Sequence, residues 1–436
     1  MNVDVSSRKV KCCFICGGEE LIALFELGDQ PMSGIFPLLD EVDPVKAPLG
    51  LERCETIING IKCGNVQMSH IANFENMYGM SYGYNSSLSP FMISHLKNIS
   101  ENVKKYVQID SDDWILDIGC NDGSLLLNFM DQTRNMVGVD PSAGKFVSQI
   151  SQNIELFVDY FPSTECTNFM NGKKFKSITS IAMFYDLAEP RKFISEIYKH
   201  LSDDGIWTVE LAEFNEFLKN LSYDQICHEH LLYLDNRQMV DLARDAGFYL
   251  IDITYSEING GSACYYFSKE KSREITPELS RVNRDQVSQL SRRIRHNKKN
   301  VMDYLRLLLD SGKTIYGYGA STKGNVLGNY YGLNNSMLPY ISDINPFKHN
   351  RRTPGTNIPI ISHVQMRLDA PDFLFSFIWH LRKEVLLDEK EYILSGGKII
   401  FPLPRLHVVD SDNYFDILEA NLQDEAFDIS TQFLIN

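Results

Sequence analysis

Short apolar runs alternate with amphipathic stretches through the middle of the chain, a pattern that predicts strands and helices in turn. Residues 114–118 (WILDI) and 136–140 (MVGVD) read as strands on either side of a turn at 119–124 and a helix from Leu125. The alternation then repeats, with strands at 178–184 and 206–211, a helix at 190–201 and a turn at 203–205. This order predicts a doubly wound α/β fold whose ligand binds at the carboxyl ends of the strands.

The first turn, Asp117-Ile-Gly119-Cys-Asn121-Asp-Gly123, differs from the dinucleotide fingerprint. It is one residue tighter, and its acidic side chains would repel a diphosphate. Asn121 replaces a glycine, but asparagine tolerates the left-handed backbone. Asp140, at the end of the next strand, is placed to bind both hydroxyls of a ribose. S-adenosylmethionine, with a ribose, an adenine and a positive sulfonium, suits this loop; another nucleoside is the alternative.

Residues 222–234 (SYDQICHEHLLYL) place two histidines around Glu229. A zinc protease motif would need its histidines one helical turn apart, whereas His228 and His230 are two residues apart. In an irregular or extended segment they would share a face, an arrangement that suits acid/base catalysis. The alternative is a surface loop whose histidines cap neighbouring helices.

The C-terminal third predicts a second nucleotide-type fold after a long basic helix at about 278–309. Residues 314–324 (TIYGYGASTKG) form a strand, a glycine loop and a helix start, with Ser321 and Lys323 suited to a phosphate. The strand at 339–343 ends in Asp343, where a ribose could bind, and Arg351 follows. We expect a diphosphorylated nucleotide here; the alternative is a Rossmann-like domain used only for packing.

Five of the nine cysteines fall within the first 63 residues. Cys13 and Cys16 form a C-x2-C pair, while Cys54 and Cys63 are separated by a segment that contains Asn59-Gly60, a strong hairpin signal. A two-residue turn there pairs Ile58 with Ile61 and Thr56 with Cys63, which brings Cys63 back towards Cys54. The four thiols predict a closed structural Zn²⁺ site, with Cys12 as a substitute for Cys13 and free thiols as the alternative.

Size and charge limit the remaining possibilities. The 436 residues suggest about three domains, or two with an appendage. The 42 Lys+Arg against 57 Asp+Glu give a net charge of −15, which argues against nucleic-acid binding. The N-terminus carries no visible secretory signal, and no apolar run approaches the roughly 20 residues that span a bilayer. We expect a cytoplasmic protein that binds no membrane and is a monomer or a weak homo-oligomer.

Taken in order, four segments resemble one family. They are the Cys-rich lobe, DIGCNDGSLL at 117–126, YDQICHEHLLY at 223–233 and GYGASTKGN at 317–325. The chain is similar to three-domain S-adenosylmethionine-dependent sugar C-methyltransferases, which add a methyl branch to nucleotide-linked keto-deoxysugars. The segment 78–86 (YGMSYGYNS) also resembles the tyrosine-rich active-site segment of this family.

The resemblance implies a zinc-binding lobe at 1–72, a class I methyltransferase domain with a Rossmann-like fold at 73–272 and a Rossmann-like nucleotide-sugar domain at 273–436. It implies S-adenosylmethionine and structural Zn²⁺ as cofactors and a nucleotide-diphosphate sugar as substrate. Two departures, Asp186 where some relatives have histidine and Cys227 where they have tyrosine, fall near the expected substrate and leave the sugar open.

Carbon methylation needs a carbanion equivalent, so a base must remove the proton beside a keto group. We predict His230 as this base, with Glu229 supporting it and His228 as second candidate, and Tyr82, Tyr84 or backbone groups near the enolate oxygen. Asp186, Ser321, Lys323, Asp343 and Arg351 are the further substrate candidates. An O- or N-methyltransferase, or a non-catalytic nucleotide-sugar-binding protein, is the alternative.

Overall fold

The computed structural model describes residues 7–72, 77, 84–148, 150 and 153–420. The strands, numbered along the chain, are β1 Ser7–Lys9, β2 Leu21–Pro31, β3 Lys46–Cys54, β4 Ile57–Ile58, β5 Ile61–Lys62, β6 Val66–Met68, β7 His70–Ala72, β8 Trp114–Ile118, β9 Asn135–Val139, β10 Ile154–Phe157, β11 Phe175–Ile181, β12 Leu201–Ala212, β13 Leu232–Tyr233, β14 Tyr249–Ser256, β15 Ser262–Ser268, β16 Ile315–Tyr318, β17 Ile341–Asp343, β18 Ile360–Ser362, β19 Phe373–Ser376, β20 Lys398–Phe401 and β21 His407–Val409.

The α-helices are α1 Pro90–Tyr106, α2 Thr164–Met170, α3 Pro190–His200, α4 Phe214–Asn220, α5 Asn236–Asp245, α6 Arg284–Asp310, α7 Thr322–Tyr331, α8 His363–Asp369, α9 Arg382–Asp388, α10 Lys390–Leu394 and α11 Tyr414–Glu419. Short 3-10 turns occur at Ser86–Leu88, Leu126–Phe129, Ala143–Phe146, Phe184–Asp186, Tyr223–Gln225, Ile258–Gly260, Lys271–Arg273, Pro346–Lys348 and Trp379–Leu381.

The described residues form two compact units. The first contains residues up to 24, 50–215 and 228–284, and the second contains residues 25–49, 216–227 and those from 285 onward. The division into domains at 72 and 272 stays a prediction. The structure adds that residues 25–49 and 216–227 pack with the C-terminal part of the chain.

A seven-stranded sheet organises the first unit, in the order β10-β9-β8-β11-β12-β15-β14. Five strands are parallel, and β15 runs antiparallel to both β12 and β14. Numbered along this sheet, the order is 3-2-1-4-5-7-6, the class I methyltransferase arrangement that the sequence predicts. The crossover from β8 to β9 places the first glycine loop at the carboxyl ends of the parallel strands.

Helix α1 covers one face of this sheet. Ser89 caps it, since the Ser89 hydroxyl accepts a hydrogen bond from the Met92 amide at 3.2 Å, and Pro90 occupies the first helical position. Leu96, Ile99 and Val103 recur at helical spacing and join the buried core of the sheet.

Two local predictions for this unit are wrong. The helix expected from Leu125 is only the 3-10 turn Leu126–Phe129. The turn expected at 203–205 lies inside β12, where the register with β11 shifts from Leu201 to Ile206, so these residues loop out of the ladder without ending the strand.

A six-stranded sheet organises the second unit, in the order β18-β17-β16-β19-β20-β21. The first five strands are parallel and β21 is antiparallel to β20. Helix α7 connects β16 to β17, as in a Rossmann-like fold, which confirms the second predicted α/β unit. The basic helix predicted at 278–309 is α6, and it buries Leu290, Ile294 and Val301 along one side.

Candidate functional site

Three residues of the first glycine loop have a left-handed backbone. The φ angles are 79° at Gly119, 49° at Asn121 and 79° at Gly123, in line with the residues that tolerate them. The Gly119 amide donates to the Val139 carbonyl at 2.8 Å, which ties the loop to the next strand. A Cβ on Gly119 would lie 3.0 Å from Met183 Cγ, so a side chain there would also crowd the segment after β11.

Two buried carboxylates lie beneath this loop. Asp140 accepts hydrogen bonds from the Asn121 amide at 2.8 Å and the Ser142 amide at 2.6 Å, one at each oxygen. Each oxygen still has a lone pair for a ligand hydroxyl. Asp117 accepts a 2.6 Å hydrogen bond from the Thr179 hydroxyl, and burial raises the pKa of Asp117 to about 7. The loop therefore combines ribose-binding capacity with an acidic floor.

A 3-10 turn fastens onto the loop from the chain before α1. The Ser86 amide donates to Asn121 Oδ1 at 3.0 Å, and the Ser87 amide donates to Asp122 Oδ2 at 2.8 Å. Tyr84 precedes this turn and is 42% exposed. Tyr82 lies outside the described residues. The predicted tyrosine segment therefore ends beside the cofactor-type loop.

A histidine that no sequence pattern indicates pairs with a glutamate at the carboxyl end of β12. His95 Nε2 lies 3.0 and 2.8 Å from the two Glu210 oxygens, and Glu210 is buried. Glu210 lies near the carboxyl end of the strand predicted at 206–211. Its partner comes from α1, 115 residues earlier in the chain, and only the fold brings the two together.

The His-Glu-His segment lies between the 3-10 turn Tyr223–Gln225 and β13, and it is not helical. His228 and Glu229 are buried. The Leu231 amide donates to the Tyr185 carbonyl at 2.8 Å, and the rings of Tyr185 and His230 lie 4.2 Å apart. Tyr185 belongs to the turn that follows β11 and also contains the predicted substrate residue Asp186.

Met183 and Tyr185 connect the two features of the first unit. Met183 lies against Gly119 of the glycine loop, and two residues later Tyr185 holds His230. His230 and Gly119 therefore each lie near the short segment 183–185 that follows β11.

The second glycine loop repeats the opening geometry of the first. Gly319 has φ 82°, and its amide donates to the Ser342 carbonyl at 2.7 Å. The Ser321 hydroxyl accepts the Gly324 amide at 2.9 Å and so caps α7. Ser321 thus has a structural role at the helix start, in addition to any contact with a ligand.

The predicted ribose carboxylate of this unit has a cationic neighbour. Asp343 Oδ1 accepts the Asn345 amide at 2.7 Å, and Lys348 Nζ lies 3.2 Å from Asp343 Oδ2 and 2.8 Å from the Ala320 carbonyl. Arg351 donates to the carbonyls of Phe347 and Phe36, so part of its guanidinium is already used for structure. Lys348 is a basic group at this loop that the sequence does not single out.

Lys323 lies in a polar cluster inside the second unit. Burial lowers the pKa of Lys323, and the nearby Asp224 carboxylate opposes that shift. Asp224 is buried and accepts a 2.8 Å hydrogen bond from the Trp379 indole. Cys227, one of the two departures from the resembled family, is buried and also opposes the shift of Lys323. The residues just before the His-Glu-His segment therefore lie in the same polar cluster as Lys323 of the second glycine loop.

Four cysteines converge in the N-terminal part of the first unit. One ligand atom from each of Cys13, Cys16, Cys54 and Cys63 lies within 4.8 Å of the others. The Sγ atoms of Cys13 and Cys63 are 3.8 Å apart, and those of Cys16 and Cys54 are 3.6 Å apart. Tetrahedral Zn²⁺ with Zn–S bonds of about 2.3 Å would separate its sulfurs by about 3.8 Å. The cluster therefore has the dimensions of a four-thiolate zinc site.

The hairpin between the second cysteine pair has the predicted register. Ile58 pairs with Ile61, and the Cys63 amide donates to the Thr56 carbonyl at 2.9 Å. The hydrogen bond with the Cys63 thiol lowers the pKa of Cys13 to about 5, which favours a thiolate there. Cys12, the substitute considered for Cys13, is exposed and outside the cluster.

Comparisons with known proteins match most of the chain. The methyltransferase domain family matches residues 92–253, and the C-methyltransferase C-terminal domain family matches residues 257–404. The chain is 23% identical to the C-methyltransferase NovU of Streptomyces niveus over 93% of this chain and 98% of that relative. The chain belongs to the C-methyltransferase family.

Solved structures resemble one part of the chain. An N-methyltransferase, NodS of Bradyrhizobium japonicum WM9, is 12% identical and covers 41% of this chain and 96% of its own, with a TM-score of 0.32. A putative methyltransferase in complex with the Haloferax volcanii Trm112 activator is 12% identical and covers 42% of this chain and 95% of the matched chain, with a TM-score of 0.33. None of the described helices combines the length and apolar character needed to cross a bilayer.

Proposed function

We propose that this protein transfers a methyl group from S-adenosylmethionine to a carbon beside the keto group of a nucleotide-diphosphate-linked keto-deoxysugar. The single observation that carries the proposal is the position of His230. Its ring lies 4.2 Å from that of Tyr185, two residues after the Met183 side chain that touches the first glycine loop. These two contacts support a base near the loop that is suited to the methyl donor.

Asp117, Gly119, Asn121, Gly123 and Asp140 are the residues that would hold the cofactor. The left-handed backbone leaves room for close approach, Asp140 keeps lone pairs for ribose hydroxyls, and the acidic floor suits a cationic ligand. When bound, S-adenosylmethionine supplies an electrophilic methyl group next to a positive sulfur.

His230 takes the proton beside the keto group, and Glu229 orients or electrostatically supports it; His228 is the second candidate. Tyr82, Tyr84 or nearby backbone amides stabilise the enolate oxygen that forms. The carbon so activated would attack the methyl group in line with the methyl–sulfur bond, which would break to release S-adenosylhomocysteine. The protein would contribute mainly by holding the two reactants in contact.

The second unit would hold the nucleotide diphosphate. Lys323, Lys348 and the capped start of α7 offer positive charge and backbone amides to phosphates. Asp343 would offer a carboxylate to the ribose, and Asp186, next to Tyr185 in the chain, would contact the sugar. Arg351 keeps part of its guanidinium for the ligand after its two backbone contacts.

The test is a screen of nucleotide-sugar ketones for methylated products by mass spectrometry, followed by His230→Ala. Loss of a general base lowers turnover by about 100-fold or more, while S-adenosylmethionine affinity should stay unchanged. His296→Ala, an exposed histidine on α6, is the matched control. Full turnover in His230→Ala would remove that residue from the role. Without cofactor, solvent-hydrogen exchange at the sugar carbon separates carbon methylation from O- or N-methylation.

We also propose that Cys13, Cys16, Cys54 and Cys63 hold a structural Zn²⁺. Four thiolates fill a tetrahedral site, so the metal would stabilise the fold and take no part in the chemistry. We expect one zinc per chain by elemental analysis and loss of zinc with a lower thermal midpoint in Cys54→Ser. Cys12→Ser, outside the cluster, should keep its zinc; a zinc-free wild type purified without chelator would contradict the assignment.

A further inference from the structure

Residues 25–36 of the second unit run along α7 towards its first turn. Near the end of α7, the rings of Phe25 and Tyr330 lie 5.9 Å apart. Near its start, Asn325 Nδ2 donates to the Ser33 carbonyl at 2.7 Å. The segment therefore approaches the end of the helix at which phosphates are expected to bind.

Beyond Ser33 the segment reaches the second glycine loop. Arg351 Nη1 donates to the Phe36 carbonyl at 2.8 Å, and Lys348 Nζ lies 5.0 Å from the centre of the Phe36 ring. The same ammonium donates to Ala320 in the loop and pairs with Asp343. The Lys348 side chain therefore lies between Phe36 on one side and the second glycine loop and Asp343 on the other.

Gln30 is turned inward by a break in β2. Phe25 and Leu27 are buried at alternate positions, and Gly28 then takes φ 82°, so the next buried position is residue 30. Gln30 is only 3% exposed, yet neither its amide nitrogen nor its amide oxygen has a hydrogen-bond partner within the described part of the chain.

Ser33, three residues later and beside the first turns of α7, is a second buried polar residue of this kind. It is 1% exposed, and its hydroxyl oxygen also lacks a hydrogen-bond partner among the residues that the structure describes. Each buried polar group left in this way has lost its hydrogen bonds to water without gaining a partner in the protein, which destabilises the fold. Three such groups lie within four residues of a segment that reaches the first turns of α7, and they indicate a polar ligand that forms hydrogen bonds with them.

We propose that Gln30 and Ser33 contact the nucleoside diphosphate bound at the second glycine loop. This inference rests on the proposed function and adds a part of the chain far from either glycine loop in sequence. The start of α7 and its lysines meet the phosphates, while the amide of Gln30 and the hydroxyl of Ser33 hydrogen-bond to the nucleoside diphosphate beside them. An amide offers one donor group and one acceptor, which matches the paired groups of a base edge or a ribose.

The experiment measures the affinities of UDP, thymidine diphosphate and GDP by calorimetry for the full-length protein and two variants. Gln30→Met keeps the side-chain size without its polar atoms, and Ser33→Ala removes one hydroxyl. We expect the best-bound diphosphate to bind about 5- to 30-fold more weakly to each variant. The affinity for S-adenosylmethionine should not change. Ser177→Ala, a buried serine with an equally unpartnered hydroxyl in the first unit among the described residues, is the control.

Thermal unfolding without ligand gives an independent readout. If a ligand completes Gln30, the ligand-free Gln30→Met variant should be as stable as the wild type or more stable, because methionine leaves no polar atoms without partners. A clearly lower midpoint with unchanged diphosphate affinity would assign Gln30 a purely structural role and overturn the inference.

The outcomes separate this inference from the proposed function. Diphosphate binding that is weakened in both variants, together with no methyl transfer on any ketone tested, would overturn the proposed function and leave the inference standing. Equal binding by wild type and variants would overturn the inference, whatever the activity. A wild type that binds none of the three diphosphates would overturn it as well.

Discussion

The two glycine loops of this protein share a backbone plan. Gly119 and Gly319 each follow the first strand of a parallel sheet with φ near 80°, and each donates its amide to a carbonyl of the neighbouring strand. A Cβ at either position would crowd the side chain of the second residue after the fourth strand, Met183 at 3.0 Å or Ile378 at 2.7 Å. Both loops therefore require glycine for the same two reasons.

The loops differ in what lies next to the carboxylate of the following strand. Asp140 and Asp343 each accept an amide from two residues onward. The other oxygen of Asp140 accepts the Asn121 amide, whereas that of Asp343 pairs with the ammonium of Lys348. One backbone plan thus gives an acidic site in the first unit and a neutralised one in the second. We infer that this difference, rather than the fold, assigns a cationic ligand to one loop and an anionic ligand to the other.

Exchanging the two carboxylates for amides tests the comparison most strongly. Asp140→Asn removes charged hydrogen bonds worth about 1.5–3 kcal/mol, so we expect S-adenosylmethionine to bind about 10- to 100-fold more weakly. Asp343→Asn should weaken nucleoside diphosphate binding less, because Lys348 then loses its counterion and becomes available to phosphate. Calorimetry with both ligands on both variants measures the four affinities. Cross-effects of equal size would show that the loops are not separate sites.

Alanine at each glycine is the next test. A left-handed backbone costs an alanine about 1–2 kcal/mol, which corresponds to about 5- to 30-fold in affinity if the loop must hold that shape to bind. We expect Gly119→Ala to weaken only S-adenosylmethionine and Gly319→Ala to weaken only the diphosphate. Gly172→Ala, which has φ 75° but no neighbour within 4 Å of a Cβ, controls for strain alone. Loss of both ligands in that control would assign the effects to general instability.

The sequence predicts the strands and the glycine loops well because apolar runs and glycines act locally. Trp114–Ile118 was predicted residue for residue, and the Asn59-Gly60 turn gives the predicted hairpin register. The helix expected after Gly123 is wrong, since amphipathic periodicity cannot distinguish one 3-10 turn from a full helix. Local patterns therefore give the types of element better than their lengths.

The partners of the site residues could not be predicted because they come from distant parts of the chain. His95 meets Glu210 across 115 residues, and Asn325 holds Ser33 across 292 residues. Lys348 is not among the predicted substrate residues, and its contact with the Ala320 carbonyl, 28 residues earlier, follows from the fold. Such contacts follow from sheet order and helix packing, and no single-sequence pattern encodes them.

The pH dependence of cofactor binding tests the acidic floor of the first loop. Burial raises the pKa of Asp117 to about 7, so the carboxylate ionises between pH 6 and 8. If it attracts a cationic ligand, S-adenosylmethionine affinity should rise by roughly tenfold over that range. The stability of the ligand-free protein should change in the opposite direction. The folded state holds a proton on Asp117 that the unfolded chain releases near its usual pKa of 3.8. The contribution of Asp117 to the free energy of unfolding is therefore lost as the pH rises from about 4 towards 7. Asp117→Asn should flatten both profiles, and an unchanged slope in that variant would exclude Asp117 as the titrating group.

The smallest expected effect concerns Asn121, which stands where the usual fingerprint has glycine. Asn121→Gly keeps the left-handed backbone but loses the hydrogen bond from the Ser86 amide, so we expect S-adenosylmethionine to bind about fivefold more weakly, for a bond worth about 1 kcal/mol. Asn121→Ala loses the same bond and adds backbone strain, so it should bind more weakly again. Equal affinities for the two variants would mean that the loop relaxes away from φ 49° when the ligand binds. Wild-type affinity in Asn121→Gly would mean that the turn before α1 contributes nothing to the loop, and the acidic side chains alone would then distinguish this loop from the one around Gly319.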